Sequence, residues 1–354
     1  MKHSWRIRPY VEGDEHQILR LRQTVFGDID SVRMHLTTWN WQFRNNPAGK
    51  GWIYVAEDHQ EIVGQYAAIP TRITWKGQTY MAAFSCDTMV HPKYRRQGMF
   101  VTLADALYRL IAEESGVHMV WGFPNNRSLP GFVSRLGWKV MAQYPLRVAP
   151  LRPLRMLQPY CRCIPAHIQS PANVSVLRPF RIGLGLELHP VFNFSAETDV
   201  IWNRHKPFSR IIQIRDRRYL EWRYHEVPEF GYMVFVIRHH DCPAGYLVMR
   251  FLNLEGQYFG ALMDIFPLPV IDNRITREIL GFVRRFCHMN DAGFATFLLP
   301  EQFRNFLWRI GAITVPHRLT PRPWRLGCRF TSDSPIAFAL PNDWHITYGD
   351  TDIL

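Results

Sequence analysis

The sequence predicts an α+β protein of two tandem domains, each a mostly antiparallel, twisted mixed sheet flanked by helices. Three observations lead there. The 354 residues exceed one ordinary core and suit two domains of about 150–200 residues each. The chain repeats itself weakly but in register. Within the first copy, the hydrophobic period switches between helix and strand values in the order helix, antiparallel strands, strand–loop–helix, strand, helix, strand.

The repeat rests on three matches. Trp41–Pro47 (WQFRNNP) and Trp222–Pro228 (WRYHEVP) share W-x-[FY]-x-x-x-P at an offset of 181 residues. Seventeen residues after each proline stands a glycine in a strand-like run, Gly64 and Gly245. Phe132–Val140 (FVSRLGWKV) pairs with Phe306–Thr314 (FLWRIGAIT) at an offset of 174. Core packing explains aromatic residues at these places but not their shared spacing and order, which mark two copies of one fold. The six prolines from Pro145 to Pro171 mark a linker. The expected division is therefore 1–145, a basic Pro-rich linker at 146–185, and 186–354.

Taken in order, residues 13–26 read as a helix with Ile18, Leu21 and Val25 inward. Residues 51–58, 61–75 and 78–90 read as strands, the first two joined by a tight polar turn at Asp58–Gln60. Residues 98–116 read as a helix with Leu103, Leu107, Leu110 and Ile111 on one face and Gly116 at its end. Residues 117–123 form a further strand, and Leu129–Arg135 a short helix closing at Gly137.

Composition narrows the function classes. Apolar residues are 47% and charged residues 20%, the profile of a soluble globular protein. The net charge of +12 is uneven: Ser115–Leu186 has eight arginines and one lysine but no Asp or Glu. Such a segment attracts anions or serves as a solvated connector. The start carries no signal-peptide pattern, no apolar run is long enough to span a bilayer, and six sparse cysteines suggest reduced thiols, so the expected location is the cytoplasm. Cys161 and Cys163 form a lone C-x-C without a second pair, and no metal is expected.

The chemistry concentrates at Met89–Phe100 (MVHPKYRRQGMF), with three cations in the five residues from Lys93. A strand ends near Val90, Pro92 stops it, and a helix starts near Gly98. The first amides of that helix lack intrahelical acceptors and lie at the positive end of its dipole, a geometry that binds phosphate. Arg95 and Arg96 add charge, and Gly98 lets backbone approach a diphosphate closely. Neither a Walker-type loop nor a complete dinucleotide fingerprint is present.

These residues resemble the GNAT family of N-acetyltransferases. Arg95 and Gly98 match its R-x-x-G-x-[GA] loop; Asn126, Phe132, Gly137 and Trp138 match its N-x-x-A-x-x-[FL]-Y-x-x-x-G-F segment. The likeness covers roughly Trp5–Tyr144. Three positions depart from the pattern: Phe100 and Leu129 replace small residues, and Val133 stands where the family has the tyrosine that protonates the departing thiolate.

The resemblance implies direct transfer of an acetyl group from acetyl-coenzyme A, as co-substrate, to an amine. Met89, Val90, Arg95, Arg96, Gln97, Gly98, Met99, Phe100, Asn126 and Phe132 would bind the coenzyme, with an amide near Met89 polarising the thioester carbonyl. Asp87 is the first candidate base. The polar tail, with Asp350, Asp352 and the Leu354 carboxylate, is the second, since in some tandem members the chain terminus reaches the catalytic centre. Trp39, Trp41 and Phe43 fall where the family's second helix borders the acceptor groove, or pack in the core. The acceptor is expected to be a small-molecule or sugar amine, with no specific nucleic acid and no membrane span; an oligomer is allowed. The second copy keeps Asp264 and Pro267 but lacks the loop motif, so no coenzyme is expected there. Two rivals stand beside this reading: a non-catalytic coenzyme A-binding regulatory module, and an aminoacyl-tRNA-dependent peptidyl transferase of the same fold.

Overall fold

The computed structural model describes residues 4–27, 31–113, 116–156, 178–254, 256–267, 273–320, 322–331 and 333–351. It contains two mixed eight-stranded sheets flanked by helices, one in each of two compact units. Neither unit is contiguous. The first comprises Met1–Gln143, Phe208–Ile214 and Arg325–Trp344; the second comprises Tyr144–Pro207, Arg215–Trp324 and His345–Leu354. Most of the Pro-rich segment expected as a linker, residues 157–177 with Cys161 and Cys163, lies outside the described residues.

In chain order the first copy runs β1 (Arg6–Pro9), α1 (Glu15–Phe26), α2 (Leu36–Phe43), β2 (Trp52–Asp58), β3 (Glu61–Trp75), β4 (Gln78–Val90), α3 (Met99–Glu113), β5 (Val117–Gly122), α4 (Leu129–Leu136) and β6 (Lys139–Tyr144). There follow β7 (Arg147–Pro150), α5 (Pro153–Met156), β8 (Phe180–Gly183), β9 (Leu186–Val191), α6 (Glu197–His205), β10 (Ile212–Gln213) and α7 (Arg217–Tyr224). The rest is β11 (Tyr232–His239), β12 (Cys242–Leu254), β13 (Gln257–Phe266), α8 (Asn273–Met289), β14 (Phe294–Phe297), α9 (Arg304–Arg309), β15 (Ile313–Thr314) and β16 (Trp324–Phe330).

The repeat read from the sequence is a repeat of structure. Trp41 lies on α2 and Trp222 on α7; Gly64 lies in β3 and Gly245 in β12. The β2–β3 turn places His59 and Gln60 at positive φ, and the β11–β12 turn does the same with His240 and Asp241. Two successive left-handed residues suit the strand twist of a tight hairpin. The first sheet runs β1-β2-β3-β4-β5-β16-β6, with β10 pairing β3; the second runs β8-β9-β11-β12-β13-β14-β7-β15. Each sheet therefore takes in a strand from a distant stretch of chain at the same place: β16 beside β5, and β7 beside β14.

In the first unit, α3 lays Leu103, Ala104, Leu107, Tyr108 and Ile111 on the sheet, all buried. Each buried leucine contributes roughly 1.5–3 kcal/mol. Leu110, expected inward, is only half-buried, and Tyr108 occupies the core face instead. On α1, Ile18 and Leu21 are buried as expected, while Val25 is half-buried; Arg22 turns inward to meet Asp87. Gly64 is where α3 crosses the sheet: a Cβ there would stand 2.5 Å from the Met99 sulfur. Trp39, Trp41 and Phe43 of α2 are all buried, so they form core rather than an exposed aromatic groove.

Candidate functional site

The site starts from a fork between two strands. β4 and β5 pair in parallel only through Met81↔Val117, Ala83↔Val120 and Phe84↔Trp121. β4 then continues to Val90, while β5 ends at Gly122 and pairs on its far side with β16. Among the described residues, no strand pairs the β5-side edge of Ser85–Val90, so this half of β4 offers open backbone groups.

A bulge marks the same half. Gln65 stands opposite Met89 and Ala67 opposite Cys86, so Asp87 and Thr88 face the single residue Tyr66. Asp87 takes φ +46, costly for a non-glycine residue, and its surroundings hold it there. The Gln65 side chain donates to the Asp87 carbonyl at 2.9 Å, and Arg22 Nη1 lies 2.5 Å from Asp87 Oδ1. Burial alone would raise the Asp87 pKa, but the Arg22 and Arg33 guanidiniums outweigh it and hold the carboxyl below its ordinary value.

The charged loop follows directly. The Tyr94 hydroxyl donates to Asp58 at 2.6 Å, tying the loop to β2. The Gln97 side chain accepts from the Trp5 indole at 3.1 Å and donates to the Lys93 carbonyl at 3.4 Å. Arg96 at φ +66 and Gly98 at φ +81 turn the backbone into α3, and space around Gly98 is open. Val101 and Thr102 are the first amides to bond back to Gly98. Among the described residues, no acceptor receives the amides of residues 96–100, and no carboxylate pairs with exposed Arg95 or Arg96. Arg95 Nε reaches the Val90 carbonyl at 3.4 Å. Unbonded amides at the start of a 15-residue helix, flanked by two guanidiniums without a carboxylate, make a strong anion cradle.

The remaining expected site residues divide by burial. Met89, Met99 and Phe132 are buried. Phe132 packs in an aromatic cluster, its ring centroid 5.1 Å from Phe100 and 4.5 Å from Trp138. Phe100 fits because α4 carries Gly131 beneath it: a Cβ there would come within 3.0 Å of the ring. The bulk at the last loop position thus points to α4 rather than into the turn. Asn126 is exposed and accepts from Arg325 at 2.6 Å, while its neighbour Asn125 accepts the Arg127 and Ser128 amides at the start of α4. Val133 is 44% exposed and brings no proton donor.

The sequence reading missed a chain of hydroxyls behind the fork. Ser85 Oγ lies 2.9 Å from the Tyr66 hydroxyl, which lies 2.7 Å from the Tyr108 hydroxyl, which accepts from the Trp138 indole at 2.9 Å. Tyr66, Tyr108 and Trp138 are buried, and burial pushes the Tyr108 pKa up to about 12 and that of Tyr66 well above its ordinary value. Two tyrosines in otherwise apolar runs were the available signal; their meeting across β3 and α3 was not.

In the second unit, Asp264 lies in a buried cluster. Arg215 Nε donates to Asp264 at 3.0 Å and its Nη2 to Asp350 at 2.8 Å, while the Tyr246 hydroxyl donates to Asp264 at 2.9 Å. Burial opposes both charges, yet Arg215 holds Asp264 low, and Asp350, sharing that cation with a second carboxylate, is pushed up. Arg223 donates to the Gly349 and Thr351 carbonyls at 3.0 Å each, anchoring the chain up to that point. Asp352 and Leu354 lie outside the described residues. Among the described residues, no cluster of three or more His, Cys, Asp or Glu could hold a metal ion, and no helix is long and apolar enough to cross a membrane.

Comparison with known proteins adds the family. Residues 6–141 match the family described as Acetyltransferase (GNAT) domain. No curated protein matches the sequence. Among solved structures, a GCN5-related N-acetyltransferase from Anabaena variabilis superposes with a TM-score of 0.56 at 15% identity, over 92% of this chain and 72% of that one. A probable N-acyltransferase from Enterococcus faecalis gives 0.63 at 11%, over 93% and 72%. Saccharomyces cerevisiae N-myristoyltransferase with bound myristoyl-CoA gives 0.59 at 11%, over 93% and 83%. At these identities the likeness is one of fold. Residues 6–141 match the GNAT acetyltransferase domain, and the two units of the chain carry two mixed sheets of the fold these structures share.

Proposed function

We propose that the first unit transfers an acetyl group from acetyl-coenzyme A to a small-molecule or sugar amine in the cytoplasm. One observation carries this: the unbonded amides of residues 96–100 and the exposed Arg95 and Arg96, which no carboxylate pairs among the described residues, stand at the end of the open half of β4. In this reading the loop holds the coenzyme diphosphate, and the pantetheine lies along Met89 and Val90 as an added strand. The thioester carbonyl takes a backbone amide next to the Asp87 bulge, which stabilises the developing oxyanion. The Asp87 carboxylate, held low by Arg22, is a weak proton acceptor. Its assigned role is to hold the bulge and keep negative charge near the incoming ammonium. The proton acceptor is assigned to the tail, Asp352 or the Leu354 carboxylate.

Titration calorimetry with acetyl-coenzyme A, followed by turnover over a panel of amines, tests the reading. Micromolar binding that is lost in Arg95→Glu, with product formed from at least one amine, is expected. Absence of binding overturns it. Exposed Val133 in the tyrosine position favours the second reading, a coenzyme A-binding module without turnover, and binding without any acetylated amine would select it. Removing residues 352–354 should cut kcat while leaving coenzyme affinity intact; unchanged kcat excludes the tail.

A further inference from the structure

The fork holds a group that the family motif does not supply. Ser85 is the first β4 residue past Phe84↔Trp121, where the parallel pairing stops. Ser85 is half-buried, whereas the three residues behind it, Tyr66, Tyr108 and Trp138, are buried. Beside it stands Gly122, where a Cβ would meet the Ser85 carbonyl at 3.1 Å and the Ser85 Cβ at 3.7 Å. A side chain at residue 122 would crowd Ser85; glycine leaves the fork open.

We infer that the Ser85 hydroxyl is the hydrogen-bond donor to the departing coenzyme A sulfur, in the role left empty by Val133. The inference rests on the transferase reading above. At rest Ser85 donates inward to Tyr66. The order of the chain behind it permits reversal. An indole N–H can only donate, so Trp138 always supplies the Tyr108 oxygen and leaves the Tyr108 proton free to point to Tyr66. Tyr66 then turns its proton to Ser85, and Ser85 turns its own to the fork. Each step is a rotation about a C–O bond. Both tyrosines stay protonated at neutral pH, so the chain remains a row of donors. Because it is buried, each bond polarises the next more strongly than in water.

In the reaction the amine lone pair forms the C–N bond and the C–S pair leaves with sulfur. The amine proton goes to the base, and sulfur departs as a thiolate held by the Ser85 hydrogen bond, taking a proton from water on release. Ser85 touches the reacting atoms; Tyr66 and Tyr108 act through it as positioning residues.

The test compares Ser85→Ala, Ser85→Thr and Tyr66→Phe with the wild-type chain, each with a thermal melt, coenzyme calorimetry and a pH–rate profile. Ser85→Ala is expected to lower kcat roughly 100-fold, the low end of general-acid help, with KM and coenzyme affinity unchanged. Ser85→Thr should restore most of the rate, and Tyr66→Phe should lose part of it. The Ser85→Ala profile should rise further on the alkaline side, where less help to the leaving group is needed. If the wild-type chain binds and turns over, full kcat in Ser85→Ala overturns the Ser85 role alone. A wild-type chain that binds acetyl-coenzyme A and acetylates no amine overturns the transferase reading, and this role with it.

Discussion

Asp87 shows how one residue joins stability to function. It occupies a left-handed bulge, pairs with Arg22, and is largely buried with it. Removing one partner of such a buried pair costs roughly 3–5 kcal/mol. Asp87→Ala should therefore lose stability of that order in urea unfolding, and lose turnover with it. Since the folded pKa is depressed, the pair's contribution is complete above the unfolded carboxylate value of about 3.9 and fades as pH falls through the lower folded value. The acid limb of a rate profile near neutrality would then belong to another group. Arg95 is exposed and bonds the Val90 carbonyl only at 3.4 Å, so Arg95→Glu should leave the melting temperature nearly unchanged while weakening coenzyme binding at least tenfold, the scale of one charged hydrogen bond. The sequence pointed to Asp87 through its place before the loop, but its sign and strength as a base depend on Arg22 and Arg33, which no local pattern connects to it.

At the scale of elements, β4 and the start of α3 form the working unit. The sequence marks both ends of it, since the apolar run to Val90, the break at Pro92 and the glycine at Gly98 are local signals. The fork is not local: it exists because β5 pairs with β4 at only three registered positions while its other edge pairs with β16. In the second unit, the equivalent strand β13 places Asp264 in the Arg215 cluster, where the acid is a packing group. Asp264→Ala should cost up to roughly 3–5 kcal/mol, because buried Arg215 loses one of its two carboxylates. Asp350→Asn should cost clearly less, because Asp350 is the carboxyl pushed towards its neutral form and its Oδ1 has no hydrogen-bond partner among the described residues. Urea midpoints of the two variants measure the difference.

For the whole molecule, the consequential feature is the strand that each sheet draws from elsewhere in the chain. Residues 1–145 contain the loop, the fork and the hydroxyl chain, yet lack β16, which lies between β5 and β6. Expressed alone, that segment would leave both neighbours with bare edges and is expected to aggregate or melt well below the full chain. Circular dichroism melts of the segment and of the full chain decide this; an isolated 1–145 segment as stable as the parent would show that β16 is dispensable. The three sequence echoes made the doubling legible, since periodicity and turn chemistry are written locally. Nothing in Arg325–Phe330 announces that it belongs beside β5.

The order of helices and strands, the doubling, the anion loop and the absence of the usual tyrosine all follow from the amino-acid sequence, because each depends on residues within a few turns or strand lengths of one another. The strand that completes each sheet, the Arg22–Asp87 pair, and the meeting of Ser85, Tyr66, Tyr108 and Trp138 were decided only by the tertiary structure. Those features join residues far apart in the chain, and their energies come from burial and charge that exist only once the chain has folded.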